Sequence, residues 1–337
     1  MANEINRQWI LRRRPKGKLQ ESDFEFRETP LPESGPGQVL TRTLYLSLDP
    51  ANRMWMNAAP SYRPPVEVGG PMDGFTVAQV VASNDPSFQP GDLVESENGW
   101  QDYAVLPAAS VVKVRARSPL SHRVSVYGVT GLTAYFGLLE IGRPQAGETV
   151  VVSGAAGATG SVAGQIARIK GCRVVGIAGT DEKCRWLTDD LGFAAAINYK
   201  TEQVGKALPG CCPDGIDVYF DNVGGETLQA AMFNMNRGGR IVCCGAVSSY
   251  DSGQWNSPVG VPGLLIQRRF RMDGFIVLDY YDRREAAEDE LVAWVNDGRL
   301  ISREDIIDGL EQAPRALIGL LHGENIGKRM IRVAPDP

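Results

Sequence analysis

The segment Val150-Val151-Val152-Ser153-Gly154-Ala155-Ala156-Gly157-Ala158-Thr159-Gly160-Ser161 constrains the fold of this chain more than any other. An apolar, strand-like run stops at glycines 154, 157 and 160 and gives way to the helix-like Val162-Ala163-Gly164-Gln165-Ile166-Ala167. Glycines at this spacing allow a tight turn out of a strand, close approach of the backbone to a pyrophosphate, and close packing of the helix on the sheet. Phosphates then rest on the N–H groups at the helix start, where the helix dipole favours negative charge. An Ala/Gly-rich helix entry alone produces the same spacing; the strand before it and the helix after it make it a dinucleotide-binding signal.

The surrounding sequence repeats that grammar. Strands are predicted over 149–153, 173–178, 194–198, 216–220 and 239–244, with helices over 161–170, 182–190 and 284–296. Strands this continuously apolar, spaced by helices, imply a parallel sheet covered on both faces, a doubly wound Rossmann fold. Residues 1 to 125 read differently: short strands such as 39–48, 76–82 and 103–106 are punctuated by Pro/Gly turns, which argues for a β-rich, barrel-like unit. Composition follows the division. Of 38 glycines 26 lie in 126–298, whereas 13 of 21 prolines lie in 1–125. All six cysteines fall in the Gly-rich part, without disulfide or zinc-ribbon spacing; Cys243 and Cys244 end an apolar run and read as buried thiols, and the set suggests a reducing compartment, the cytoplasm. The opening Met1-Ala2-Asn3-Glu4 leads into Trp9-Ile10-Leu11-Arg12-Arg13-Arg14, without the apolar core of a signal peptide. A net charge of −5 argues against a basic nucleic-acid binder.

The second strand selects the dinucleotide. An NAD site ends it with Asp or Glu on the ribose hydroxyls, but here Ile177-Ala178-Gly179-Thr180-Asp181-Glu182-Lys183 puts small residues at the tip and a lysine within reach. A 2′-phosphate gains charge-assisted hydrogen bonds from such a cation, hence NADP(H). Asp181 or Glu182 as a helix cap, with Lys183 solvated, is the competing reading.

These residues resemble the zinc-independent medium-chain dehydrogenase/reductases, and among them the NADPH-dependent alkenal/one reductases: leukotriene B4 dehydrogenase/prostaglandin reductase, plant double-bond reductases and curcumin reductase. The resemblance runs in order through Leu44-Tyr45-Leu46-Ser47-Leu48-Asp49-Pro50, Gly99-Trp100-Gln101-Asp102-Tyr103, Gly128-Val129-Thr130-Gly131-Leu132-Thr133-Ala134-Tyr135 and the glycine loop. It continues through Asn198-Tyr199-Lys200, Phe220-Asp221-Asn222-Val223-Gly224-Gly225, Cys244-Gly245-Ala246-Val247-Ser248-Ser249-Tyr250 and Gly323-Glu324-Asn325-Ile326-Gly327-Lys328. It implies a GroES-like β-rich catalytic domain (1–125 and 299–337) and a Rossmann domain (126–298). It also implies that Gly157, Ala158, Thr159, Gly160 and Ser161 hold the pyrophosphate, and that Gly179, Thr180, Lys183 and Tyr199 surround the 2′-phosphate. Asn222, Cys244, Gly245, Ala246, Val247, Ser248, Ser249, Tyr250, Phe275, Ile276, Val277 and Asn325 would complete the NADPH site.

The superfamily includes zinc alcohol dehydrogenases, whose catalytic metal takes three protein ligands, largely from the first domain. Here that stretch holds no cysteine and one histidine, His122, so the expectation is chemistry without metal. What remains is hydride transfer to the β-carbon of an α,β-unsaturated ketone or aldehyde, with negative charge developing on the carbonyl oxygen as an enolate. Tyr250 is the candidate donor to that oxygen, with a role in positioning the cofactor as the alternative. A quinone reductase of the same superfamily and a catalytically idle NADPH-binding protein are the competing functions. Where relatives carry D-P-Y-M-R, this chain has Asp49-Pro50-Ala51-Asn52-Arg53, so Ala51 replaces an aromatic and the expected pocket is larger, lined by Trp55, Met56 and Tyr62. The resemblance further implies a homodimer, with the segment 270–277 pairing with its twin at a sheet edge.

Overall fold

The computed structural model describes residues 5–58, 61–115, 117–251 and 257–337. The chain forms two compact units, Met1–Val124 with Glu304–Pro337, and Ser125–Arg303. The opening Met1 to Glu4 lies outside the described residues.

In the first unit Ile5–Leu11 pairs antiparallel with Phe24–Pro30. A seven-stranded sheet runs in the order Glu304–Asp308, Lys328–Arg332, Gln38–Ser47, Thr76–Ser83, Leu93–Ser96, Val112–Lys113, and Tyr103–Pro107 also pairs with Gln38–Ser47. The return of the chain therefore supplies neighbours to the longest N-terminal strand. Leu46, Leu48, Trp55, Met56, Met72 and Trp100 form one core with Leu317 and Ile331 from that return. Beside it Lys328, 2% exposed, donates from Nζ to the Leu48 carbonyl (2.9 Å) and to Asp49 Oδ1 (2.6 Å). Two motifs 279 residues apart, one ending in Asp49-Pro50 and one in Gly327-Lys328, thus meet in an enclosed ion pair. Removing one partner leaves the other charge poorly solvated, so Lys328→Ala is expected to cost about 2 kcal/mol in chemical denaturation, the figure being tempered by the 16% exposure of Asp49.

The second unit holds six parallel strands: β1 (Thr149–Ser153), β2 (Arg173–Ala178), β3 (Ala195–Asn198), β4 (Ile216–Asp221), β5 (Met235–Cys243) and β6 (Arg271–Gly274). Their order is β3-β2-β1-β4-β5-β6, the doubly wound order with its switch point between β1 and β4. All five residues of β1 are buried, as a strand covered on both faces requires. Helix α1 (Ala158–Ile169) begins three residues before the predicted start, so Ala158, Thr159 and Gly160 belong to its first turn and not to the loop. Gly160 is what permits this, because a Cβ there would lie 2.3 Å from the Gly154 carbonyl oxygen. The edge strand β6 is shorter than the predicted 270–277: Phe275 leaves the ladder and sets its ring against Gly137, where a Cβ would come within 2.5 Å of it. The unit extends to Arg303, beyond the expected switch at 299. Gln165 of α1, 1% exposed, accepts the Ile301 N–H (2.8 Å) and donates to its carbonyl (3.0 Å), which keeps that segment on this unit. No helix among the described residues is long and apolar enough to cross a membrane.

Candidate active site

The glycine loop, the 198–202 turn, the 221–225 turn and the 244–250 loop all leave the carboxyl ends of the parallel strands of the second unit. At the first, Gly154 takes φ +58°, a left-handed value that favours glycine, and turns the chain out of β1. Gly157 is the N-cap of α1 and offers no side-chain acceptor, so the helix start carries no internal cap. The first-turn N–H groups of a helix have no intrahelical partner. The N–H groups of Ala158, Thr159 and Gly160 thus form a cradle open to an anion, the Ser161 N–H being already bonded to the Gly157 carbonyl (3.0 Å), and Gly157 and Gly160 are the positions where a Cβ would crowd the Gly154 carbonyl (3.2 and 2.3 Å). These residues fit a pyrophosphate.

At the end of β2, the cap is Thr180, whose hydroxyl accepts the Lys183 N–H at 3.2 Å; neither Asp181 nor Glu182 fills that role. Asp181 is instead engaged by the side-chain amide of Asn198 (2.6 Å). Lys183 is buried. The ring of Tyr199, half exposed, lies against Gly179, where a Cβ would meet its hydroxyl at 2.9 Å. Gly179, Thr180, Lys183 and Tyr199 are therefore gathered at one strand end.

Across the switch point Asn222 donates its backbone N–H to Ser153 Oγ (2.9 Å) and its side-chain amide to the Ser153 carbonyl (2.7 Å). Gly224 and Gly225 turn with φ +73° and +56°. The 244–250 loop is laid along this turn: the N–H groups of Cys244 and Gly245 reach the Asp221 carbonyl, that of Val247 the Asn222 carbonyl, and that of Ser248 the Val223 carbonyl. Ser249 closes it through a 2.8 Å bond to the Ala246 carbonyl. Cys243 and Cys244 are partly buried, not fully as expected, and burial still pushes both thiols up to about 12.

Tyr250 ends this loop. Its hydroxyl oxygen accepts the Ala246 N–H at 3.1 Å, which fixes the phenol and leaves its proton to be donated elsewhere. Burial raises its pKa above the ordinary value, opposed by the Ala246 N–H, so the phenol stays protonated at neutral pH. Phe275 packs inward on Gly137 and edge-on to Tyr280, while Ile276 and Val277 follow it beyond β6.

The remaining candidates belong to the first unit. Asn325 is buried and donates to the Gly327 carbonyl (2.7 Å). Ala51 begins the short helix Ala51–Trp55 and is partly exposed. Two expectations need correction: Met56 is fully enclosed and Trp55 is 2% exposed, both packed in the core, because the short helix turns these large apolar side chains inward. Trp55 instead supports Tyr62, donating its indole N–H to the half-exposed Tyr62 hydroxyl (2.9 Å), while Arg63 covers its ring at 4.4 Å.

Among the described residues no three His, Cys, Asp or Glu side chains are grouped to hold a metal ion. His122 lies 3.9 Å from Glu304. Burial lowers its pKa below the ordinary 6.5, with Glu304 acting the other way. The native state favours the neutral ring, so its contribution is complete above pH 6.5 and is lost as pH falls through the lowered folded value. Denaturation midpoints that fall below pH 6.5 in the native chain and fall less in His122→Phe are the expected outcome.

Sequence reasoning passed over Ser153 and Asp221 as site residues. Each is the buried last residue of its strand, but a polar residue at a strand end does not by itself name its partner in another strand.

Comparison with known proteins agrees with this geometry. Residues 7–114 match the family described as the N-terminal domain of oxidoreductase, and residues 158–294 the family described as zinc-binding dehydrogenase. An NADPH-dependent curcumin reductase of Escherichia coli (strain K12) is 45% identical over 98% of each chain. A 2-alkenal reductase (NADP(+)-dependent) of Nicotiana tabacum is 42% identical over 100% of each. The crystal structure of CurA from Vibrio vulnificus in complex with NADPH superposes with a TM-score of 0.93 at 40% identity, covering 98% of this chain and 100% of that one. With glycine cradle, sheet order and near full-length identity in agreement, the chain belongs to the medium-chain dehydrogenase/reductase superfamily.

Proposed function

We propose that the protein is an NADPH-dependent reductase of the C=C bond of α,β-unsaturated ketones and aldehydes. The observation that carries this reading is the gathering, at the carboxyl end of one sheet, of an anion cradle, the buried Lys183 and a fixed Tyr250 phenol, in a chain that reductases of this class match end to end. Ala158, Thr159, Gly160 and Ser161 would hold the pyrophosphate, and Lys183 with Tyr199 the 2′-phosphate. NADPH, when bound, supplies the hydride for the β-carbon. Tyr250 donates a hydrogen bond to the carbonyl oxygen as enolate charge develops there, where a preoriented donor counts most. Water delivers the proton to the α-carbon. Ala51 and Tyr62 are read as substrate contacts of the first unit, and Asn222, Asn325 and the segment Phe275 to Val277 as further cofactor contacts. Six cysteines without disulfides favour a cytoplasmic enzyme. Among the described residues β6 pairs on one side only, which favours a homodimer through that edge.

The test is NADPH consumption with a short enone, against a naphthoquinone, with and without a chelator. Turnover of the enone, indifferent to chelation, is expected. Turnover of the quinone alone would make the protein a quinone reductase, and tight NADPH binding with neither substrate consumed would make it a binding protein. For the cofactor, Lys183→Ala is expected to raise KM for NADPH roughly tenfold, the scale of one charge-assisted hydrogen bond, and to leave KM for NADH unchanged. Equal preference for the two cofactors in the native enzyme would remove the assignment of Lys183.

A further inference from the structure

Strands β1 and β4 lie side by side, and the crevice beyond their carboxyl ends is where open α/β sheets bind ligands. Two buried polar side chains end these strands. Ser153 is fully enclosed and Asp221 is 2% exposed. Ser153 Oγ donates to Asp221 Oδ1 at 3.0 Å. The same oxygen accepts the Tyr219 hydroxyl (3.1 Å) and the N–H groups of Val223 (3.2 Å) and Gly224 (3.0 Å). The Asp221 carbonyl accepts the N–H groups of Cys244 and Gly245. Ser153 Oγ in turn accepts the Asn222 N–H.

The Asp221 side chain therefore ties the exit from β1 into the glycine loop to the Gly224-Gly225 turn, while its backbone carbonyl holds the start of the loop that ends in Tyr250. Burying a carboxyl group here is costly: burial raises its pKa, and the four donors oppose that shift. Stability alone does not call for such a group, since well-packed apolar residues often serve as well as buried charged networks. What the side-chain network adds is geometry, because it fixes the N–H groups of Asn222, Val223 and Gly224 beside the exit from β1, and the Tyr250 loop is laid on that same turn through the Asn222 and Val223 carbonyls.

We propose that Asp221, together with Ser153, is the positioning pair of the cofactor site, acting through the exit from β1 and the 221–225 turn on which the Tyr250 loop rests, and touching no reacting atom. The inference rests on the NADPH reading above and goes further by naming what holds the site in register.

The test uses Ser153→Ala, Asp221→Asn and Ser153→Thr in the full chain. The measurements are NADPH affinity by fluorescence titration, kcat and KM with a short enone, and the melting temperature. Ser153→Ala and Asp221→Asn are expected to weaken NADPH binding about tenfold and lower kcat about tenfold, with KM for the enone within about twofold. Ser153→Thr, which keeps the hydroxyl, is expected to restore affinity to within about threefold. A purely structural pair would lower the melting temperature and leave NADPH affinity and kcat of the folded protein unchanged, and that result overturns the proposal. Should Asp221→Asn fail to fold, Ser153→Ala, which deletes a single oxygen, decides alone. Wild-type protein that fails to bind NADPH would remove the cofactor reading and this one with it. Wild-type protein that binds, beside variants that match it, would remove this one only.

Discussion

Gly160→Ala is expected to lose more than about 100-fold in NADPH affinity and about 2 to 3 kcal/mol in stability, the upper range for overpacking a site that cannot give way. The added methyl would sit 2.3 Å from the Gly154 carbonyl oxygen and 2.9 Å from Ala155 Cα, and both obstacles are backbone. No side chain can rotate aside, so either α1 shifts or the turn at Gly154 opens, and the N–H groups of Ala158, Thr159 and Gly160 lose their common aim. Gly164→Ala serves as the control. Its methyl would meet the Phe193 ring at 2.1 Å, about one turn beyond Gly160, so it is expected to lower stability and to spare affinity in the folded protein. Fluorescence titration with NADPH beside chemical denaturation separates the two. A Gly160→Ala protein that binds NADPH as the native chain does would move the cradle elsewhere.

Tyr250→Phe is expected to lower kcat by about 100-fold while NADPH affinity stays within about threefold, the scale of removing one preoriented donor to a developing oxyanion. The phenol oxygen receives the Ala246 N–H, so its position in the loop is fixed from behind and its proton is the group left to donate. The substitution removes both bonds. Its effect on binding is small if Cys244, Gly245, Val247 and Ser248 continue to hold the loop through their own N–H groups. Single-turnover measurement of NADPH oxidation with a short enone, at saturating cofactor, reads the step directly. Unchanged turnover with weakened NADPH binding would instead make Tyr250 a residue that positions the cofactor.

How much of this was legible beforehand depends on the range of the interaction. Strands β1 and β2 and the helix Arg284–Asn296 match their predicted limits, because each is framed by local signals: an apolar run, a glycine exit, an amphipathic repeat. The start of α1 was misjudged by three residues because the sequence shows glycines but not that Gly160 lies against the Gly154 carbonyl. The end of β6 was overextended because Phe275 and Val277 suit a strand by propensity, and the notch at Gly137, far away in sequence, captures the Phe275 ring instead. Trp55 and Met56 were assigned to a pocket from their neighbourhood to Ala51, and only the packing reveals that they face the core. Ser153 and Asp221 escaped for the same reason: hydrogen-bond partners 68 residues apart leave no spacing to read.

The late arrival of Glu304–Asp308 and Lys328–Arg332 in the first unit's sheet has a consequence for the order of folding. The second unit is one continuous stretch, Ser125–Arg303, and holds every residue of its own sheet once that stretch has left the ribosome. The first unit must wait. Its strand Gln38–Ser47 precedes the second unit yet gains Lys328–Arg332 as a neighbour only after that whole unit has been made, and Met330 and Ile331, both fully enclosed, complete two of its apolar clusters. Domains tend to fold in order of emergence, but here the unit that starts first finishes last. A nascent chain stalled before Lys328 would present a completed nucleotide fold beside an open β-sheet, the state in which this protein is most exposed to misassembly and to proteolysis.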